Sequence, residues 1–97
     1  MPQVNFAPAA LRDLERLREF LRPKNPTTAK RAAAAIIKSL QILSHQPHIG
    51  RPVEDMPDEF REWPIEFGDS GYLARYRYDH SEHVTVLAIR HQKEVGF

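Results

Sequence analysis

Between Tyr72 and Ile89 two runs of residues alternate in character, and winding them into helices would scatter their apolar side chains around the axis. Tyr72, Ala74, Tyr76 and Tyr78 fall on one side of a period-two pattern, with Leu73, Arg75 and Arg77 on the other. Residues 79–82 (DHSE) are polar and turn-like, after which Val84, Val86 and Ala88 alternate with Thr85, Leu87 and Ile89. Aromatic and β-branched residues in alternation, broken by a short polar turn, predict an antiparallel hairpin. Arg90, His91 and Lys93 cluster where the second strand runs out, which gives the sheet a basic tip.

The rest of the chain supplies what such a sheet needs to bury. Residues 3–6 (QVNF) form a short strand with Val4 and Phe6 on one face. Pro8 suits the first position of a helix, since its φ is fixed and its missing N–H would be unbonded there anyway. Ala10, Leu11, Leu14, Leu17 and Leu21 then recur at helical spacing, and the helix must stop by about Arg22 because Pro23 follows. Asn25 and Pro26 are a good N-cap and N1 for a second helix. Its stripe is Ala29, Ala33, Ile36, Leu40 and Leu43, widened by Ala32 and Ile37, and it closes before Pro47. A short proline-rich link makes the two helices an antiparallel hairpin whose stripe needs a sheet face to cover it. Residues 48–52 read as a turn and 53–59 as an acidic loop. Trp63, Ile65 and Phe67 mark a further strand over 61–67, placed at an edge or kinked because Pro64 lacks a ladder donor. Residues 68–71 are the turn into the last hairpin. The fold class is α+β, in the order β-α-α-β-β-β: a small antiparallel sheet with an N-terminal helical hairpin packed on one face.

At 97 residues this is one domain, 1–97, with a small core. There is no cysteine, so neither a disulfide nor a thiolate metal site is available. No signal peptide and no run of membrane-spanning length is present, so the expected location is cytoplasmic, with no membrane partner. The net charge of +1 hides an asymmetry. Up to Val53 nine basic side chains stand against three acidic ones, and from Glu54 on five stand against ten. A basic helical half is either a solvated surface or a docking site for an acidic partner.

Little in the sequence carries chemistry. His45 and His48 flank Pro47, and His80 and His83 flank a turn, with no metal-ligand motif around either pair; no metal and no cofactor is expected. There is no phosphate-binding glycine loop and no legible nucleophile–base spacing. The constellation above background is basic: Arg61, Arg75, Arg77, Arg90, His91 and Lys93, all on or just past strands. Arg75 and Arg77 share a face, while Arg90 and His91 leave theirs on opposite faces. Guanidinium groups on a sheet suit carboxylate or phosphate recognition. The competing reading is that they pair locally with Glu62, Glu66 or Asp79.

Taken in order, these pieces resemble the RelE/ParE superfamily of type II toxin–antitoxin toxins. The likeness runs through Pro8-Ala9-Ala10-Leu11-Arg12-Asp13-Leu14, Asn25-Pro26, Pro47-His48-Ile49-Gly50-Arg51-Pro52, Phe60-Arg61-Glu62, Ser70-Gly71-Tyr72, Tyr76 and Ile89-Arg90-His91-Gln92-Lys93-Glu94. The resemblance implies a small sheet carrying a helical hairpin, which agrees with the reading above. Its ribosome-dependent mRNA nucleases carry lysines before the Ser-Gly-Tyr turn, an arginine after that tyrosine and a tyrosine near the C-terminus. The corresponding positions here are Pro64 and Glu66, Leu73, and Phe97. Proline, glutamate and leucine cannot stabilise a phosphorane, and phenylalanine cannot move a proton. A sequence pI of about 8.2 is also modest for docking on ribosomal RNA. The resemblance therefore implies the ParE-like branch: a growth-inhibiting, plasmid-stabilising toxin that poisons DNA gyrase by contact, without sequence-specific nucleic-acid binding of its own. It also implies a cognate antitoxin. The partner-binding residues would be Arg61, Arg75, Arg77, Arg90, His91 and Lys93. If the chain is instead a ribosome-dependent endoribonuclease, Arg61, Arg90, His91 and Lys93 would be its catalytic candidates. A third reading is an inactive member kept for antitoxin binding.

Overall fold

The two alternating runs become the middle of a five-stranded sheet. The computed structural model describes residues 2–21, 25–67, 70–79 and 82–92. Strands β1 (Gln3–Phe6), β2 (Arg51–Pro52), β3 (Phe60–Phe67), β4 (Ser70–Tyr78) and β5 (His83–His91) lie in the order β1-β5-β4-β3-β2. Helices α1 (Pro8–Leu21) and α2 (Pro26–Gln41), the latter extended by a 3-10 turn at Ile42–Ser44, close one face. The core lies between the layers: Ala10, Leu17, Ala32, Ile36, Leu40 and Leu43 meet Ile65, Tyr72, Ala74, Tyr76, Val84, Val86 and Ile89. The helical hairpin on one side of a strand layer is as the apolar patterning requires.

Three details depart from the sequence reading. The sheet is mixed, because β1 pairs parallel to β5, with Val4 opposite Val84 and Phe6 opposite Val86. After the helices the chain enters at the far side and steps back through antiparallel neighbours until β5 lies beside β1, pointing the same way. Residues 51–52, read as part of a turn, form a two-residue edge strand on Glu62 and Arg61. Finally, the ladder between β4 and β5 slips at Arg75/Tyr76: Arg75 faces Ala88 but Tyr76 faces Val86, leaving Leu87 as the extra residue of a bulge. Simple alternation put Val84, Val86 and Ala88 on one face. The bulge moves the core position to Ile89, fully buried, while Ala88 turns to the open face with Arg75.

The helices begin where their caps direct. Asn25 is extended (φ −165, ψ 102) and its Oδ1 accepts from the Thr28 N–H at 3.2 Å. Replacing Asn25 by alanine leaves that N–H to water and is expected to cost about 1 kcal/mol; urea unfolding measures it, and an unchanged midpoint would remove the cap from the account. The core stripe is as expected at Ala29, Ile36 and Leu40 of α2 and Leu43 of the 3-10 turn, but Ala32 and not Ala33 completes it, Ala33 being half-buried; Ile37 is 41% exposed and Leu11 on α1 53%. Each falls about a third of a turn off the buried face of its helix. Among the described residues no helix is long and apolar enough to cross a membrane. The helix end at Arg22–Lys24 and the turn residues Gly68, Asp69, His80 and Ser81 lie outside the described residues.

Candidate functional site

The helices leave one sheet face open, and the strand register sets its rows. Pro64, Leu73 and Arg90 stand side by side across β3, β4 and β5; Glu62, Arg75 and Ala88 form the next row; Arg77 and Thr85 form the third. Arg75 and Arg77 thus share the open face, and both meet carboxylates. Arg75 Nη2 is 3.0 Å from Glu62 Oε2. Arg77 Nη2 is 3.0 Å from Glu59 Oε2 and 3.2 Å from Asp79 Oδ2. Arg51 reaches the other oxygen of Glu62 at 4.0 Å. The face therefore carries charge in pairs, not as a bare cationic field. The Arg77 pairs are exposed, so they add little stability and can exchange partners when another protein arrives, whereas the Arg75–Glu62 pair is mostly covered.

Arg90 is held differently. Strand β1 ends at Phe6, opposite Val86, so beyond that point β5 has lost its neighbour. The first turns of α1 run alongside, and Asp13 takes the vacant position. Its Oδ2 accepts from the Ile89 N–H at 2.9 Å, and its Oδ1 lies 2.7 Å from Arg90 Nη1. Arg16 Nη2 donates to the Ile89 carbonyl at 3.3 Å and sits 3.5 Å from Asp13 Oδ1. Two side chains of a helix thus stand in for the next strand: a carboxylate where a carbonyl would accept, a guanidinium where an N–H would donate. Asp13 is only 13% exposed. Asp13 lies within the Pro8–Leu14 stretch that carries the family resemblance, with no role legible from its sequence neighbours. Nothing at helical spacing announces a contact 76 residues away.

Arg61 lies on the helix side, at the other end of the sheet. Its Nη1 donates to the Gly50 carbonyl at 2.7 Å and the His48 carbonyl at 3.3 Å, which pins the chain after the 3-10 turn. Opposite Arg61 on β4 is Tyr76, fully buried, whose hydroxyl donates to the Pro47 carbonyl at 2.7 Å and accepts from the Gly50 N–H at 2.9 Å. His91 is also on the helix side, edge-on to Tyr72 with ring centroids 5.3 Å apart. Of the sequence-derived basic set, the structure brings Arg75 and Arg77 together on the open face. It sets Arg90 in a different row of that face and puts His91 and Arg61 at opposite ends of the covered one. Lys93 lies outside the described residues. His83 Nδ1 is 2.8 Å from Asn5 Nδ2, at the rim of an open hollow of about 410 Å³ lined by Asn5, Arg77, Asp79, His83 and Thr85.

Burial raises the Tyr72 and Tyr76 phenols above the ordinary 10.0; at Tyr76 the Gly50 hydrogen bond and the Arg61 charge oppose part of that rise. The unfolded chain therefore releases these protons at a lower pH than the folded one. Their contribution is full below the unfolded value and is lost as pH climbs through the folded values. Stability from urea melts is expected to fall above about pH 10, less steeply in Tyr76→Phe. A flat profile up to the point of base hydrolysis would contradict this.

Three matches to known proteins bear on this chain. A family model for the ParE toxin of the type II toxin–antitoxin system parDE matches residues 4–96. Toxin RelE3 of Caulobacter vibrioides is 33% identical over 94 residues, covering 97% of this chain and 98% of its own. A solved structure of the chromosomal ParDE TA system from P. aeruginosa superposes with a TM-score of 0.78 at 21% identity, covering 94% of this chain and 96% of that one. At that identity the superposition speaks to the fold alone.

Proposed function

The chain belongs to the ParE toxin family of type II toxin–antitoxin systems, within the RelE/ParE superfamily, and from that premise we propose that it arrests growth by binding DNA gyrase, not by cutting RNA. It is a type II toxin, and a cognate antitoxin is its partner. The observation that carries the choice of target is the row Pro64–Leu73–Arg90 on the open face. Two of its three members have no group that can accept or donate a proton, and the third, Arg90, is committed to Asp13 at 2.7 Å. Phosphodiester cleavage needs an acid, a base and cationic groups converging on one phosphate. Arg61, Arg90 and His91 do not converge: they are split between two faces and two ends of the sheet.

Contact without chemistry asks for less. The open face offers Arg77 in shallow, exchangeable ion pairs, flanked by Arg75 and Arg90 in the more covered pairs with Glu62 and Asp13, a surface suited to carboxylates on another protein. We assign these three to partner contact, with Arg61 supporting the loop beneath them. On the helical side Arg12, Lys30, Arg31 and Lys38 are exposed and suit an acidic antitoxin segment.

A supercoiling assay decides the target. The purified chain, added in molar excess to gyrase and relaxed plasmid, is expected to stop supercoiling, and pre-incubation with the antitoxin to restore it. Normal supercoiling at large excess would overturn the reading. Cleavage of message on translating ribosomes, abolished by His91→Ala, would replace it with the RNA-cutting one.

A further inference from the structure

The two edges of the sheet are built differently. On the far side, Phe60 accepts from the Val53 N–H at 3.2 Å, so Glu62, Pro64 and Glu66, of the same parity, also turn their backbone groups outward. That edge is blunted: β2 ends in Pro52, Pro64 has no N–H to offer, and Glu66 is charged. On the near side, the Gln3 N–H bonds to the Glu82 carbonyl at 2.7 Å and the Ala7 N–H to the Val86 carbonyl at 2.9 Å. Odd-numbered residues of β1 thus face β5. The N–H and C=O of Val4 and Phe6 face outward, and among the described residues no strand pairs with them. This edge has no proline, no charge and no bulge.

We propose that β1 is a self-pairing edge, through which two copies of the chain join their sheets about a twofold axis at Asn5. The antiparallel register follows from the sequence. With Asn5 opposite its own copy, Val4 faces Phe6 of the second copy and Phe6 faces Val4, and all four outward N–H groups find carbonyls. Moving the axis to Val4 sets Phe6 against Pro2, and moving it to Phe6 sets Val4 against Pro8; either loses donors. On the helix side the register makes two apolar Val–Phe cross-strand pairs. Ile42, 36% exposed in the 3-10 turn packed near β1, adds apolar area beside them. Charge selects the occupant. On the twofold axis the central residue meets its own copy, where any charge would repel itself, and an uncharged strand carries no such penalty at any position. β1 meets that condition. An acidic partner segment would find no cation on this strand.

Asn5 gives the test. It is exposed, and in this register it forms a non-hydrogen-bonded pair with its copy, where side chains approach most closely. Sedimentation from micromolar to near-millimolar concentration is expected to show a monomer–dimer equilibrium for the wild type. Asn5→Asp and Asn5→Lys alone should each weaken it about tenfold or more by like-charge repulsion, and mixing the two should restore a heterodimer. Far-UV circular dichroism confirms that both variants fold. Independently, the Val4 and Phe6 amides of the wild type should exchange more slowly in concentrated than in dilute samples. A wild-type monomer throughout, or a dimer indifferent to both charges, overturns the proposal. So does a monomer whose Val4 and Phe6 amides are protected only by added antitoxin, since that gives the edge to another chain.

Discussion

Gly50→Ala is expected to destabilise the fold by about 3 kcal/mol, toward the upper end of what overpacking at a single site costs. A Cβ built there would lie 2.6 Å from the Tyr76 hydroxyl oxygen, 2.7 Å from its Cε1 and 2.8 Å from the Glu62 carbonyl. None of these can give way cheaply. The Glu62 carbonyl belongs to β3, and the Tyr76 ring is fully buried with its hydroxyl tied at both ends, to Pro47 and to Gly50 itself. The methyl must push out either a strand or the one side chain that fastens the end of the helical hairpin to the sheet. Tyr76→Phe separates these contributions. It relieves no crowding in the wild type, leaves the Gly50 N–H buried without its acceptor, and should cost about 2 kcal/mol. In the double variant the losses should be less than additive, because both act on one contact. Urea unfolding of the four proteins completes the cycle. If Gly50→Ala melts within experimental error of the wild type, the close packing of residues 47–50 on Tyr76 is not what holds this end of the sheet.

The elements of this fold were legible because each is written locally. Asn25-Pro26 opens α2, Pro47 follows its end, and period-two patterning marks β3, β4 and β5. Phase and partnership are written elsewhere. The Leu87 bulge leaves no mark in composition, since alternation through residues 84–89 looks unbroken; only pairing with β4 reveals that Ile89, not Ala88, faces the core. The parallel docking of β1 depends on how many strands intervene before the chain returns, which the four residues of β1 do not encode. The basic cluster shows the same division. Arg75 and Arg77 were placed on one face by parity alone, but their carboxylate partners span β3 and the loop before it as well as Asp79 at the end of β4. Arg61 read as a surface cation and serves as a loop clamp, because its acceptors are backbone carbonyls, which carry no sequence signature.

Asp13→Ala should show how far the α1–β5 junction depends on one side chain. The substitution removes the acceptor of the Ile89 N–H and the counter-charge of Arg90 together, at a carboxylate 13% exposed. Leaving a part-buried donor unsatisfied costs about 1–3 kcal/mol. Arg90 and Arg16 are 31% and 43% exposed, so water screens both once they are freed and the charge contribution is the smaller one. A total loss of about 2–3 kcal/mol is expected. Asp13→Asn discriminates between the two parts. Its amide oxygen can still accept from Ile89, so the strand-end bond survives while the ion pair does not, and about half the loss should return. Arg90→Ala should cost less than Asp13→Ala, and combining them should add little beyond Asp13→Ala, since the ion pair is already gone by then. Amide exchange gives the structural counterpart: the Ile89 N–H should be among the slower amides of β5 in the wild type and should exchange far faster in Asp13→Ala than in Asp13→Asn. If the Ile89 amide is equally protected in both variants, a neighbour other than the Asp13 carboxylate closes the end of β5, and Arg90 owes its position on the open face to something other than α1.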